Sequence, residues 1–169
     1  MILSSFVYCS RLKYNKIDIG GIIMKMTALD RCNKETEEII ASADESFLKE
    51  PLNYVAQNQI EYIYAESKEF TDRKMDAVVI EFDDMFKIHT ALFGLALQKK
   101  YSNPIKTYLR ANLTPMLGSS SAMFNGQEGI WEINIAFDAM KDYTGNETLG
   151  EAYDKLLKLV DAMLEEIGA

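Results

Sequence analysis

The chain has 169 residues, 48% of them hydrophobic and 11% aromatic, which is enough for one domain with a sizeable core. Its formal charge of −8 excludes an ordinary nucleic-acid or anionic-membrane binder, because either partner calls for a basic surface. Two cysteines, Cys9 and Cys32, build no disulfide framework and suit a reducing cytoplasm, and no run of about 20 apolar residues is available to span a membrane.

Residues 1–23 read as a translated leader or as a flexible arm. Gly20-Gly21 is what a bacterial ribosome-binding site encodes when it is translated. Ile22 and Ile23 would then be an AT-rich spacer, and Met24 the first codon. A secretory signal does not fit, because Met1–Cys9 is short, is broken by Ser4 and Ser5, and precedes the basic residues rather than following them.

A single helical domain is expected over residues 24–169. Between Thr27 and Ala43, Leu29, Cys32, Ile39, Ile40 and Ala43 form one stripe, with Glu35, Glu37 and Glu38 outward. Pro51 suits the first turn of a second helix, whose seam runs through Leu52, Val55, Ala56, Ile60, Ile63 and Tyr64. A strand at Ile60–Ala65 competes with it, since Tyr and Ile favour strands. The longest pattern begins near Thr71 and Asp72 and places Val78, Val79, Phe82, Met85, Phe86, His89, Leu92 and Phe93 on one broad face. Lys99 and Lys100 close it, at the negative end of a helix dipole.

Asn103–Leu113 reads as a short helix, followed by a loop through Pro115, Gly118 and Ser119–Ser121. The stretch Ile130–Phe137 alternates at Trp131, Ile133, Ile135 and Phe137, which with Asn125-Gly126 upstream describes a hairpin. Asn125-x-x-Glu128 also matches a helix-capping pattern, and Ile130, Ile133, Phe137 and Met140 continue at helical spacing. The helix is preferred. The fold class expected is therefore all-α, with an α+β fold carrying a hairpin around 119–137 as the alternative. A last helix buries Leu149, Ala152, Tyr153, Leu156, Leu157, Val160, Met163, Leu164 and Ile167, with Asn146 or Thr148 as its cap.

Catalytic chemistry is not expected. The only histidine is His89, and no G-x-S-x-G elbow, phosphate loop, dinucleotide fingerprint or CxxC pair occurs. Glu81 and Asp84 lie eight and five residues before His89, which is not the Glu-x-x-His spacing of a di-metal bundle. No metal and no cofactor are expected. The dispersed acids read as a solvated surface rather than as an imitation of DNA phosphates. His89 reads first as a core or interface histidine, then as the polar contact for a ligand or anion in an apolar pocket, and last as a haem or metal ligand.

A helical chain from Met24 that ends in two antiparallel helices, at 128–143 and 147–168, resembles the globin fold. In that comparison the helix with His89 resembles the distal one, and Asn103–Leu113 resembles the proximal one but has no histidine. The chain is thus similar to the non-haem, globin-like sensor domains of certain Bacillus sporulation histidine kinases and to related sporulation-inhibitory proteins. The resemblance implies a homodimer that holds a fatty acid and an anion where haem would sit.

The expectation is a non-enzymatic, cytoplasmic regulatory protein that modulates a sensor-kinase signal. An apolar small molecule would be lined by Phe82, Met85, Phe86, His89, Leu92 and Phe93, with His89 as the polar contact. The alternative is an acidic interaction factor (immunity, antitoxin or anti-defence) that is α+β and holds no ligand.

Overall fold

The computed structural model describes residues 17–19 and 22–169, with side chains from Met24 onward. Of the leader-or-arm expectation for residues 1–23, residues 1–16, 20 and 21 lie outside the described residues. Ile17–Ile19 (β1) and Ile22–Met24 (β2) pair antiparallel with each other.

The all-α, globin-like expectation is corrected. The centre of the molecule is a seven-stranded, wholly antiparallel sheet made of Met26–Asn33 (β3), Ile39–Ser42 (β4), Glu61–Ser67 (β5), Met75–Asp83 (β6), Ile88–Leu95 (β7), Ser120–Asn125 (β8) and Ile130–Ala136 (β9). The spatial order is β4-β3-β5-β6-β7-β9-β8. Among the described residues the α-helices are two short ones, Tyr54–Gln57 (α1) and Lys68–Thr71 (α2), and two longer ones, Ser102–Asn112 (α3) and Leu149–Ile167 (α4), with short 3-10 turns between elements. Among the described residues no helix is long and apolar enough to cross a membrane.

The stretch expected as one long helix is the β6–β7 hairpin. Its residues are β-branched or apolar on both parities because both sides of the strands are covered, and such a run carries no decisive period. The turn is made by Asp83, whose Oδ1 accepts the N–H groups of Met85 and Phe86 at 2.9 and 3.0 Å. Lys87 completes it with φ at +58°. A short acidic side chain thus supplies the turn without an Asn-Gly pair.

Cross-strand register shows how the core is laid down. Ile63, Ile80, Ala91 and Ile135 lie opposite one another across four strands, and Ala65, Val78, Phe93 and Ile133 form the next row. These rows join the buried face of α4, Ala152, Tyr153, Leu156, Leu157, Val160 and Met163, in one cluster. Burying side chains of this size contributes about 1.5–3 kcal/mol each. The other face carries a smaller cluster of Ala28, Cys32, Tyr62, Tyr64 and Val79.

Two local features fix the frame. Thr148 and Glu151 form a reciprocal capping box at the start of α4, and Gly168 ends that helix with φ at +72°. Gly94 sits opposite a register irregularity in β6, where the Asp76 carboxylate accepts its N–H at 2.6 Å. A Cβ at Gly94 would run into that carboxylate. Burial pushes the Asp76 pKa upward, partly offset by the Gly94 N–H.

Tyr153 is fully buried, and its hydroxyl has no hydrogen-bond partner among the described residues. Its ring lies 5.8 Å from that of Phe70. A buried, unpaired hydroxyl loses its hydration without return. Tyr153→Phe is expected to raise stability by about 1–2 kcal/mol, read as a higher Tm in thermal unfolding. A lower Tm would contradict the absence of a partner.

Candidate functional site

Strand alternation distributes the six expected ligand residues differently from a helix. Phe82 and His89 are register partners on the α4 side, with rings 5.2 Å apart and edge-on at 66°. Phe93 lies deeper on that face, in the main core. Leu92 points to the opposite face, beside the Tyr62–Val79 cluster. Met85 and Phe86 stand in the hairpin turn, 80% and 42% exposed. The structure therefore pairs Phe82 with His89, sets Phe82, Met85 and Phe86 along one cleft at the sheet end, and separates Leu92 and Phe93 from both groups.

His89 is buried and joins three segments. Asp138, in the short helical turn after β9, accepts the His89 backbone N–H at 2.6 Å, and its carboxylate lies 3.2 Å from Nδ1. Asn53, just ahead of α1, has Oδ1 3.2 Å from Nε2, and the Tyr143 hydroxyl is 3.4 Å from Nδ1. Burial pushes the Asp138 pKa up, but the side-chain and backbone hydrogen bonds from His89 outweigh it and leave the pKa lowered. An ionised Asp138 only accepts, so Nδ1 carries a proton. Burial, with Asp138 and Glu147 nearby, drives the Tyr143 pKa up to about 12.

The partners of His89 are an acid, an amide and a phenol, and among the described residues no Ser, Thr or Cys side chain bonds to it. Its geometry ties the β7 entrance to the segments holding Asn53 and Asp138. Among the described residues no group of three or more His, Cys, Asp or Glu side chains is arranged to hold a metal ion.

The same end of the sheet carries an exposed apolar surface. Met85 and Phe86 are joined there by Met116 and Leu117, 38% and 79% exposed, from the loop before β8. The join is Gly118, where φ is +74° and an added Cβ would lie 2.9 Å from both the Phe86 ring and Ile88. Only a glycine lets that loop close onto Phe86.

A cleft of about 510 Å³ opens beside this surface, with Phe82, Met85 and Phe86 in its wall. Among the described residues Tyr62, Glu37, Glu81, Asp83 and Asp84 line it as well, with Lys34 as the cation. Lys34 Nζ donates to the Phe82 carbonyl at 2.7 Å and stands 3.7 Å from Glu81. Burial raises the Glu81 pKa, and Lys34 offsets part of that rise. The cleft is therefore acidic at its rim and apolar along one wall.

The roles of Asn53, Asp138 and Tyr143 around His89, and of Lys34 in the cleft, are not carried by any local motif. They come from segments 36 to 54 residues away from their partners, and only strand pairing assembles them. The Met116-Leu117 pair had a readable signal, two large apolar residues inside a Pro115–Gly118 loop. Compared with family models, with curated proteins and with solved structures, the chain matches none.

Proposed function

We propose that the chain is a non-catalytic interaction protein that holds an apolar, basic-flanked segment of a partner protein at the β6–β7 end of its sheet. The carrying observation is the exposed group Met85, Phe86, Met116 and Leu117, joined through Gly118 against Phe86, with Met85 and Phe86 sharing a cleft with Glu37, Glu81, Asp83 and Asp84. Clustered exposed apolar residues mark contact surfaces more often than solitary ones do. Carboxylates around them select the charge of the partner and speed the encounter. Methionine and leucine side chains adapt to more than one apolar shape.

A displayed library of random short peptides tests this. Selection on the wild-type chain should enrich peptides that combine Lys or Arg with Leu, Ile or Phe. The Met85→Ser/Leu117→Ser double variant should retain them at least about tenfold less well, a difference of about 1.4 kcal/mol. High salt should weaken the charged part of the binding. No enrichment, or enrichment that survives the double variant, would sink the proposal.

A second reading has the cleft take an apolar small molecule. Its volume of about 510 Å³ and the Phe82, Met85 and Phe86 wall favour it. Native mass spectrometry of the purified chain separates the two readings. A retained lipid-sized mass supports the small molecule, and a bare chain supports the peptide.

A further inference from the structure

The two edges of the sheet are protected to different degrees. At one edge, β4 has only four residues, and its pairing with β3 is irregular at Arg31/Cys32. Glu35, Glu37 and Glu38 precede it directly. Short length, irregular pairing and charge are devices that discourage strand addition. At the other edge, β8 has six residues in unbroken register with β9, from Ser120↔Ile135 to Asn125↔Ile130. Its sequence, SSAMFN, contains no charge and no proline.

The free side of β8 can be specified. The Ala136 N–H donates to the Ser119 carbonyl at 2.9 Å. Antiparallel hydrogen bonding alternates along the strand, so the backbone groups of Ser121, Met123 and Asn125 also turn toward β9. Those of Ser120, Ala122 and Phe124 turn outward. Among the described residues no other backbone pairs with them.

We propose that β8 is a strand-addition site for a second copy of this chain, with the two β8 strands antiparallel about a two-fold axis at Ala122. Three outward residues centred on Ala122 make the edge self-complementary. Ala122 pairs with its own copy, and Ser120 pairs with Phe124 of the copy. Ser121 comes opposite Met123, which is 68% exposed in the single chain, so a small side chain meets a large one. No ionised side chain of β8 opposes another, so the −8 charge is not concentrated at the joint. A basic partner strand would find no carboxylate on β8 to meet, and this favours a second copy over such a peptide. The contact is isologous and would join two seven-stranded sheets into one. It adjoins the peptide site, because Leu117 lies three residues before Ser120.

Sedimentation equilibrium of the full chain, from low to high micromolar, should show twice the monomer mass. Ala122→Pro removes only an outward N–H, a substitution that edge strands tolerate, and should weaken association by about tenfold or more. A cysteine pair fixes the register whether or not the proline variant folds. Paired across the axis, two copies of residue 122 have Cα atoms about 5.5 Å apart, inside the disulfide range of about 4.4–6.8 Å. Two copies of residue 120 are offset by four residues, about 14 Å. Under mild oxidant Ala122→Cys should cross-link quickly and Ser120→Cys should not, with wild type, whose Cys32 is buried, as background. A monomer at every concentration, association unchanged in a folded Ala122→Pro chain, or equal cross-linking of the two cysteine variants would overturn the proposal.

Discussion

Glu147→Ala is expected to lose about 3–5 kcal/mol of stability near neutral pH, the loss typical when one partner of a buried ion pair is removed. Glu147 is buried just ahead of α4. Its carboxylate accepts the Thr144 N–H at 2.7 Å, the Thr144 hydroxyl at 2.9 Å, the Gly145 N–H at 2.9 Å and Lys155 Nζ at 2.8 Å. The same residue holds neighbouring chain, because its carbonyl accepts the Leu52 N–H at 2.8 Å while Leu149 N–H donates to Glu50 O at 2.8 Å. Truncation would leave several donors facing a void, with the α4 cap unsupported.

The pH dependence follows with its sign. Burial raises the Glu147 pKa, but Lys155 and the Thr144 donors more than reverse this, and it falls from about 4.5 to about 2. A depressed carboxylate pKa stabilises the fold above the unfolded value and ceases to do so as pH falls through the folded one. The contribution, about 3 kcal/mol, is therefore complete above about pH 4.5 and disappears toward about pH 2. Urea unfolding near neutral pH and near pH 3 should show wild type losing much of its advantage over Glu147→Ala on acidification. Parallel pH profiles for the two proteins would refute the assignment.

Trp131→Ala should destabilise by about 3–5 kcal/mol, as large-to-small changes in a packed core do. Trp131 is the only tryptophan. It is buried on β9, its ring is 5.3 Å from Phe124 on β8, and its Nε1–H donates to the Gln98 carbonyl at 3.3 Å. Alanine there removes the ring that packs against Phe124 of β8 and one of the two donors to Gln98 O, the other being the Tyr101 N–H at 3.1 Å. Trp131→Phe keeps the ring contact and should lose about 1–2 kcal/mol, the part due to the hydrogen bond. Circular dichroism in urea reads both variants, since tryptophan fluorescence is lost with the residue. Equal losses for the two variants would show that packing is not the main term.

Two helices of the C-terminal half were legible, and the stretches before them were not: Thr27–Ala43, expected as a helix, holds β3 and β4. Asn103–Leu113 and the helix after Thr148 stand out because one face is polar and, for the second, the cap is local, and α3 and α4 occupy those stretches. The hairpin weighed as the alternative around 119–137 lies where β8 and β9 pair. Residues 71–97 misled because Val78-Val79-Ile80 and Ala91-Leu92-Phe93 are apolar on both parities, and a helical face can be drawn through any such run. The turn between them depends on an Asp83 side chain and a left-handed Lys87, neither of which is a strong turn signal. That error carried over to the site. A helix would have set Phe82, Met85, His89 and Phe93 on one wall, whereas alternating strands send Leu92 to the far face and leave Met85 in solvent.

The strand order β4-β3-β5-β6-β7-β9-β8 also bears on how the chain folds as it is synthesised. β3 with β4, β5 with β6, β6 with β7 and β8 with β9 are neighbours in sequence as well as in space. Pairing can therefore proceed strand by strand, with short loops to close and little entropy lost at each step. The lid of the main core is α4, and α4 is made last. A nascent chain that has reached β9 presents Ile63, Ile80, Ala91, Phe93 and Ile133 on an uncovered sheet until the final helix arrives. That interval is when aggregation competes most strongly with folding.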